Sequence, residues 1–340
     1  HVGYAATPLS HGVTLALGGV CIRALATPGH SPDSMTYAVS DPETGTEHLL
    51  TGDCLFVGDV GRPDLHGADG SGALYDSLQF LLRWPDETPV MPGHVAGSLC
   101  GRSLSPDPVS TIGRERQSNP ALAGSSREEF IRAIHEELPA RPPNFHYLIA
   151  LNRAGPPVEL PQPEPVEARE IPGLLAAGAV ILDTRDGPAF ARGHLVGSVH
   201  VALDGGQFNG RAAWVLPAAT LVVLVVEQPA DAVRAASALA VVGHLGPMRY
   251  LLADREAWQQ AGLRVTQLAQ LTPTELASRL EAHRPPLVLD VREPGEYVAG
   301  HIPNAINIPF RLLERRIAEL PDDADRIVTV CAGGVRSSIA

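Results

Sequence analysis

Three short segments set an imidazole or a carboxylate beside glycine: Thr27-Pro28-Gly29-His30, Thr51-Gly52-Asp53 and Met91-Pro92-Gly93-His94. The first follows Leu25-Ala26, and the second follows Leu49-Leu50. Metal ligands are commonly presented this way. A strand ends, glycine lets the backbone turn, and the ligand points out from the sheet edge. A lone Gly-His is most often only a turn. Two Pro-Gly-His tripeptides with a Gly-Asp between them make His30, Asp53 and His94 candidate metal-site residues. A different chemistry sits near the other end. Cys331 follows the apolar run Ile327-Val328-Thr329-Val330 and precedes Ala332-Gly333-Gly334-Val335-Arg336-Ser337. Such a loop can curl so that several backbone N–H groups aim at the sulfur. The start of a following helix and the charge of Arg336 would add to this, favouring a nucleophilic thiolate at neutral pH. Burial as an inert thiol is the usual fate of a free cysteine. The flanking Gly-Gly and Arg argue against it here.

The elements that must position these residues can be read from periodicity. Val13, Leu15 and Leu17 alternate, Gly18-Gly19 turns, and Val20, Ile22 and Leu25 resume, which predicts paired strands. Further strands are predicted over residues 35–39, 48–50 and 89–91, with helices over 73–84 and 125–137. Strands with ligands at their ends, followed by helices, indicate a layered α/β domain. Residues 156–165, PPVELPQPEP, are too rich in proline for a helix or an interior strand, and read as an extended linker and domain boundary. Beyond it the chain repeats. The segment at 180–203 matches that at 287–310, pairing Asp183 with Asp290, Arg185 with Arg292 and Gly193-His194 with Gly300-His301. Strands alternating with short helices at this spacing imply two small domains with parallel sheets. The first copy has no cysteine; its strong strand at 221–226 ends in Glu227-Gln228-Pro229.

Bulk properties narrow the function classes. A chain of 340 residues accommodates two or three domains. A net charge of −12 argues against nucleic acid or an anionic membrane as the main partner. No apolar run reaches the roughly 20 residues of a membrane span. The cysteines Cys21, Cys54, Cys100 and Cys331 form no CxxC pair, which fits reduced thiols in the cytoplasm.

The segment DxRxxxEYxxGHIxxAxNIP from Asp290 and the CxxGxRS loop from Cys331 resemble the rhodanese family of sulfurtransferases. The resemblance implies that Cys331 accepts a sulfane sulfur as a persulfide, cradled by Ala332, Gly333, Gly334, Val335, Arg336 and Ser337. Residues 166–264 then look like an inactive rhodanese-like domain and 268–340 like an active-type one. Asp183, Arg185 and His194 become scaffold residues, and Asp290, Arg292 and His301 share that role because they recur where the cysteine is missing.

TPGHSPDSMTY, TGDCLFVGDVGRPDL, MPGH and STIGRERQSNP together resemble the persulfide dioxygenases of the metallo-β-lactamase superfamily, across residues 1–155. The resemblance implies an αββα sandwich and a mononuclear Fe(II) centre. His30 and Asp53 would be ligands, His94 would stand beside the metal, and Arg62 would help hold the carboxylate of glutathione. Two imidazoles and a carboxylate on one face leave adjacent positions open for substrate and O2. The third ligand of the family comes from an HxHxDH motif that these residues lack, so it is expected upstream and the last domain is expected to continue. Cys54 reads as packing. The implied substrates are a low-molecular-weight persulfide such as glutathione persulfide, O2, and sulfite or thiosulfate, in an enzyme that could be a homodimer. Two alternatives stay open: a glyoxalase II-like zinc thioester hydrolase, and a non-catalytic metal-fold scaffold for the rhodanese cysteine.

Overall fold

The alternating residues near the start pair into strands in the computed structural model, which describes residues 3–40, 43, 45–65, 69–95, 104–123, 126–136, 138, 140–155, 159–217, 220–322 and 324–340. One compact unit is Ala6–Ala140. Its elements are β1 (Thr14–Leu17), β2 (Val20–Ala26), β3 (Met35–Ser40), β4 (Glu47–Gly52), α1 (Ser71–Leu81), β5 (Pro89–Pro92), β6 (Ser110–Thr111), α2 (Ile112–Ser118) and α3 (Arg127–Glu136). The strands form one sheet in chain order, antiparallel except for β4 and β5. Those two run parallel because α1 crosses between them.

Leu74, Leu78 and Leu81 of α1 lie on one helical face and are fully buried. They pack with Leu25, Leu49, Val90, Ile112 and Phe130. Burying each leucine contributes about 1.5–3 kcal/mol. Among the described residues this unit has a single sheet rather than the two layers of the expected sandwich, and every residue of β1 is exposed. The helix predicted over 125–137 is α3; Ser125 and Glu137 lie outside the described residues, as does Cys100.

The other unit is Arg141–Ala340 with residues 3–5. The division therefore falls before the predicted boundary at 156–165. The cause is α4 (Phe145–Ala154), which belongs with the C-terminal part. The Asn144 amide donates to the Val242 carbonyl, and Leu148 lies so close to Gly243 that a Cβ there would sit 2.7 Å from it. Of the proline-rich stretch, residues 156–158 lie outside the described residues. Its end, Glu164–Pro165, is the edge strand β7, a position where proline is tolerated.

The first copy continues with α5 (Ile171–Ala176), β8 (Val180–Asp183), α6 (Gly187–Arg192), β9 (His194–Leu195), β10 (Val199–His200), α7 (Phe208–Val215), β11 (Val222–Val226), α8 (Pro229–Val241), β12 (Met248–Leu252), α9 (Arg255–Gln260) and β13 (Val265–Thr266). The second has α10 (Pro273–Leu280), β14 (Leu287–Asp290), α11 (Pro294–Ala299), β15 (Ile306–Asn307), α12 (Leu313–Arg316) and β16 (Ile327–Val330). Both main sheets are parallel, in the orders β10-β8-β11-β12-β7 and β15-β14-β16. All five residues of β11 are buried, as a parallel sheet covered on both faces requires. No helix among the described residues is long and apolar enough to cross a membrane.

The repeat survives in hydrogen-bond detail. Val199 pairs with Leu182 in one copy and Ile306 with Leu289 in the other. Arg185 donates to both oxygens of Asp183 and to the Gly193 carbonyl; Arg292 does the same to Asp290 and Gly300. His194 stacks on Phe190 at 3.9 Å between ring centroids, and His301 stacks on Tyr297 at 3.7 Å.

His244, just past α8, is buried, and neither ring nitrogen makes a hydrogen bond of normal geometry. Burial holds its pKa below the ordinary 6.5, against a weaker pull from the Leu216 backbone. The unfolded chain therefore binds this proton more readily than the folded one. Stability from this group is complete above the unfolded pKa and declines as pH falls below about 6.5. Urea unfolding midpoints at pH 7.5 and 5.5 should show a smaller acid-induced drop for His244→Leu than for the unsubstituted chain.

Candidate functional site

Sheet register brings the three ligand-type segments to one edge. Gly52, ending β4, sits opposite Pro92, ending β5, and the Gly93 N–H donates to the Gly52 carbonyl at 2.8 Å. That sets Asp53 beside His94. Beyond β2, the loop carrying His30 is held by the Thr27 N–H donating to Ser34, and by Ser77 Oγ donating to the Pro28 carbonyl at 2.7 Å. The glycines are required sterically. Gly29 has φ +145°, and a Cβ there would lie 2.4 Å from the Leu74 backbone. A Cβ on Gly93 would lie 2.8 Å from Asp53 Oδ1, and one on Gly61 would meet the Asp53 carbonyl.

His30 and Asp53 meet directly. The His30 Nδ1 lies 3.0 Å from the Arg62 carbonyl, which only accepts, so Nδ1 carries the proton. Its other nitrogen, Nε2, faces Asp53 Oδ2 at 3.3 Å, the side on which a metal would be held. A second-sphere hydrogen bond of this kind commonly fixes the tautomer of a metal-binding histidine. His94 Nδ1 is 2.6 Å from Asp53 Oδ1, with its side chain 42% exposed. Among the described residues no group of three or more His, Cys, Asp or Glu side chains is disposed as a metal cage. The histidines instead bond the carboxylate itself. The donor types, the His30 tautomer and the glycine-lined space fit a metal held by His30 and Asp53, with an incomplete ligand set.

Arg62 serves this site through its backbone. Its guanidinium is 3% exposed and makes two hydrogen bonds to Asp64, at 2.7 and 2.9 Å. The loop between Asp53 and Arg62 is anchored by a buried carboxylate. Glu115 accepts from the Gly58 N–H at 2.9 Å, from Ser110 Oγ at 2.5 Å and from the Asn119 amide at 2.8 Å. Asn119 also donates to the Asp59 carbonyl. Sequence reasoning assigned no role to Glu115 or Asn119. Both lie in STIGRERQSNP, but a buried acid on a short helix has no periodic signal. Cys54 is buried, which pushes its thiol up to about 12 and makes it unreactive, in keeping with packing.

The second centre is the loop after β16. Gly334, with φ +82°, curls the chain so that its N–H donates to Cys331 Sγ at 3.1 Å. Ser337 Oγ lies 3.5 Å from the sulfur. Partial burial pushes the thiol pKa up. The Ser337 hydroxyl, together with backbone N–H groups of Ser337, Gly333 and Arg336, outweighs it, and the net shift is below the ordinary value. The described residues after Cys331 form turns, with helical bonds from Ser338 N to Gly334 O and from Ala340 N to Arg336 O. One expectation changes. Arg336 is clamped by Glu296, at 2.5 and 2.8 Å, and this pairing holds the Glu296 acid down to about 2. Much of the Arg336 charge is thus already compensated, and hydrogen bonds do most to favour the thiolate.

Residues 272–340 match the family model of the rhodanese-like domain. The probable metallo-hydrolase YqgX of Bacillus subtilis is 34% identical over 112 residues, covering 33% of this chain and 46% of that protein. The chain spans about half the length, or less, of the curated relatives it matches. A metallo-β-lactamase crystal structure from Staphylococcus aureus subsp. aureus COL is similar with a TM-score of 0.63, at 27% identity over 74% of this chain and 73% of that one. ETHE1 from Myxococcus xanthus is 36% identical over 43% of this chain and 59% of that one, with a TM-score of 0.37. The protein is thus an α/β chain whose N-terminal unit is metallo-β-lactamase-like and whose C-terminal residues form a rhodanese-like domain.

The Ser337 hydroxyl is the strongest single group lowering the Cys331 pKa. In Ser337→Ala the midpoint of the pH–rate profile for iodoacetamide alkylation, followed on the Cys331 peptide by mass spectrometry, should move upward. An unmoved midpoint would assign the thiolate to the backbone alone.

Proposed function

We propose that this chain carries two coupled sulfur centres, a sulfur-transferring cysteine at Cys331 and a persulfide-oxidising metal centre at His30 and Asp53. The observation that carries the reading is the Cys331 cradle, a lowered thiol in a glycine-turned loop within the rhodanese-matching segment. The thiolate attacks the outer sulfur of a donor such as thiosulfate. A new S–S bond forms at Cys331, the donor S–S bond breaks, and sulfite leaves with the electron pair. A thiolate then attacks the outer sulfur of the cysteine persulfide and regenerates Cys331.

At the metal-fold site the overall reaction is RSSH with O2 and water giving RSH, sulfite and two protons, where RSSH is a low-molecular-weight persulfide such as glutathione persulfide. Iron held by His30 and Asp53 would supply the redox chemistry O2 requires. The protein's part is to orient the His30 ring through its Nδ1 bond to the Arg62 carbonyl, so that Nε2 faces the metal position, and to seat the Asp53 carboxylate against Gly93. Sulfite made at one centre is the natural acceptor or product at the other, which gives a reason for joining them. A hydrolytic reading, with two zinc ions and a thioester substrate, has its own support: His94 lies closer to Asp53 than His30 does, and YqgX carries a hydrolase name.

Substitution separates the centres. Cys331→Ser should lower sulfur transfer from thiosulfate to a thiol by about a thousandfold or more, as loss of a nucleophile does, while bound metal is unchanged. His30→Ala and Asp53→Ala should lower bound metal, measured by elemental analysis, and leave transfer intact. Iron with persulfide-dependent O2 uptake supports the oxidative reading; two zinc ions with thioester hydrolysis would replace it.

A further inference from the structure

The two copies of the C-terminal unit meet at the Cys331 loop. His200, ending β10 of the cysteine-less copy, places Nδ1 3.1 Å from Ser338 Oγ, while its Nε2 donates to the Arg185 carbonyl at 2.9 Å. Ile339 packs onto the first copy's core, which includes Phe208 and Ala212 of α7. Trp214 of the same helix lies under the Arg311 guanidinium of the second copy, 5.7 Å from ring centroid to carbon. Arg211 stands one turn before Trp214 and so shares its side of α7.

Arg211 is half-buried and has no carboxylate partner among the described residues. Its NH1 donates to the Gly206 carbonyl at 2.6 Å. Desolvation and the like charge of Arg336 lower its pKa, and the Cys331 thiolate opposes them. Its place one turn before Trp214, which packs under Arg311, and beside the core that Ile339 joins, sets Arg211 on the side of α7 turned toward the Cys331 loop. The thiol's own shift is dominated by its hydrogen bonds, and Arg336 is committed to Glu296. A cation on the side of α7 that meets the second copy, with no carboxylate partner among the described residues, is placed to meet an incoming anion.

We propose that Arg211, supplied by the cysteine-less copy, is the anion-recognising residue of the Cys331 site and favours small dianionic sulfur oxyanions over neutral sulfane donors. This rests on the reading of Cys331 as the sulfur-transferring residue. Arg211 is a substrate-binding residue: its charge draws the oxyanion end of the donor and steadies the negative charge that grows on the leaving group as the S–S bond breaks.

The test uses the full chain with two alkylating reagents, anionic iodoacetate and neutral iodoacetamide, scored on the Cys331 peptide. Arg211→Gln should lower the iodoacetate-to-iodoacetamide rate ratio by about three- to tenfold, and Arg211→Lys should retain most of it. The KM for thiosulfate should rise in Arg211→Gln. An unchanged ratio in an Arg211→Gln protein with an unaltered melting midpoint overturns the inference. If that variant does not fold, Arg211→Met, which keeps the apolar stem, is read in the same way. A wild-type chain that transfers no sulfur, yet loses the rate ratio on substitution, refutes the transferase reading and leaves Arg211 as an anion-attracting residue.

Discussion

The C-terminal chemistry depends on one ion pair. Asp290 is buried at the end of β14, and Arg292 turns back to grip both its oxygens and the Gly300 carbonyl at the end of α11. The strand end and the helix end are thereby locked together. α11 carries Glu296, Glu296 holds Arg336, and Arg336 fixes the far side of the loop around Cys331. The same clamp in the first copy is more deeply buried, with Asp183 at 0% and Arg185 at 6% exposure. Removing one partner of such a pair costs about 3–5 kcal/mol, because the other charge is left stranded. Its presence in both copies, only one of which has a cysteine, makes it a folding constraint that the active copy uses to place its loop.

The same logic shows what the first copy gives up. Its β11 ends in Glu227-Gln228-Pro229, and the space beyond is a small cavity of about 130 Å³ lined by Asp186, Asp204, Glu227 and Asp231 as well as Arg185. Of the four carboxylates, Asp204 and Asp231 pair with Arg234 and Asp186 caps α6, so this space has acids and their partners where the second copy has the Cys331 loop. What remains useful is the outer face of α7 and β10. It supports Ser338 and Ile339 of the neighbouring loop and sets Arg211 on the side turned toward it.

Much of this was legible in the sequence, and the limits have physical causes. The repeat was visible because the clamp residues, the stacked Phe190-His194 and Tyr297-His301 pairs and the buried strands keep their spacing. That His30 and Asp53 would meet at one sheet edge was legible because glycine beside such a residue at a strand end leaves a short local signature. The single described sheet, the division at Ala140 and the strand at Glu164 were not, since each depends on pairing across long sequence distances. Glu115 and Arg211 were missed for the same reason: their roles lie in what the fold brings to them. After Cys331 the described residues form turns first, because Gly334 at left-handed φ wraps the sulfur, and helical bonds begin only at Ser338 and Ala340.

An acidic protein that handled sulfur oxyanions, as proposed, would need a local solution. With a net charge of −12, the average surface repels thiosulfate and sulfite. At physiological ionic strength that repulsion fades beyond about 8 Å. Groups close to the sulfur therefore govern the last stage of approach, where water is partly excluded and screening is weakest. At Cys331 those groups are backbone N–H dipoles, an Arg336–Glu296 pair that is close to neutral overall, and Arg211. Of these, only Arg211 carries a full charge left uncompensated by a described carboxylate, and it comes from the other copy. On the proposed reading, the cysteine-less copy would supply the field that Arg336, tied to Glu296, does not.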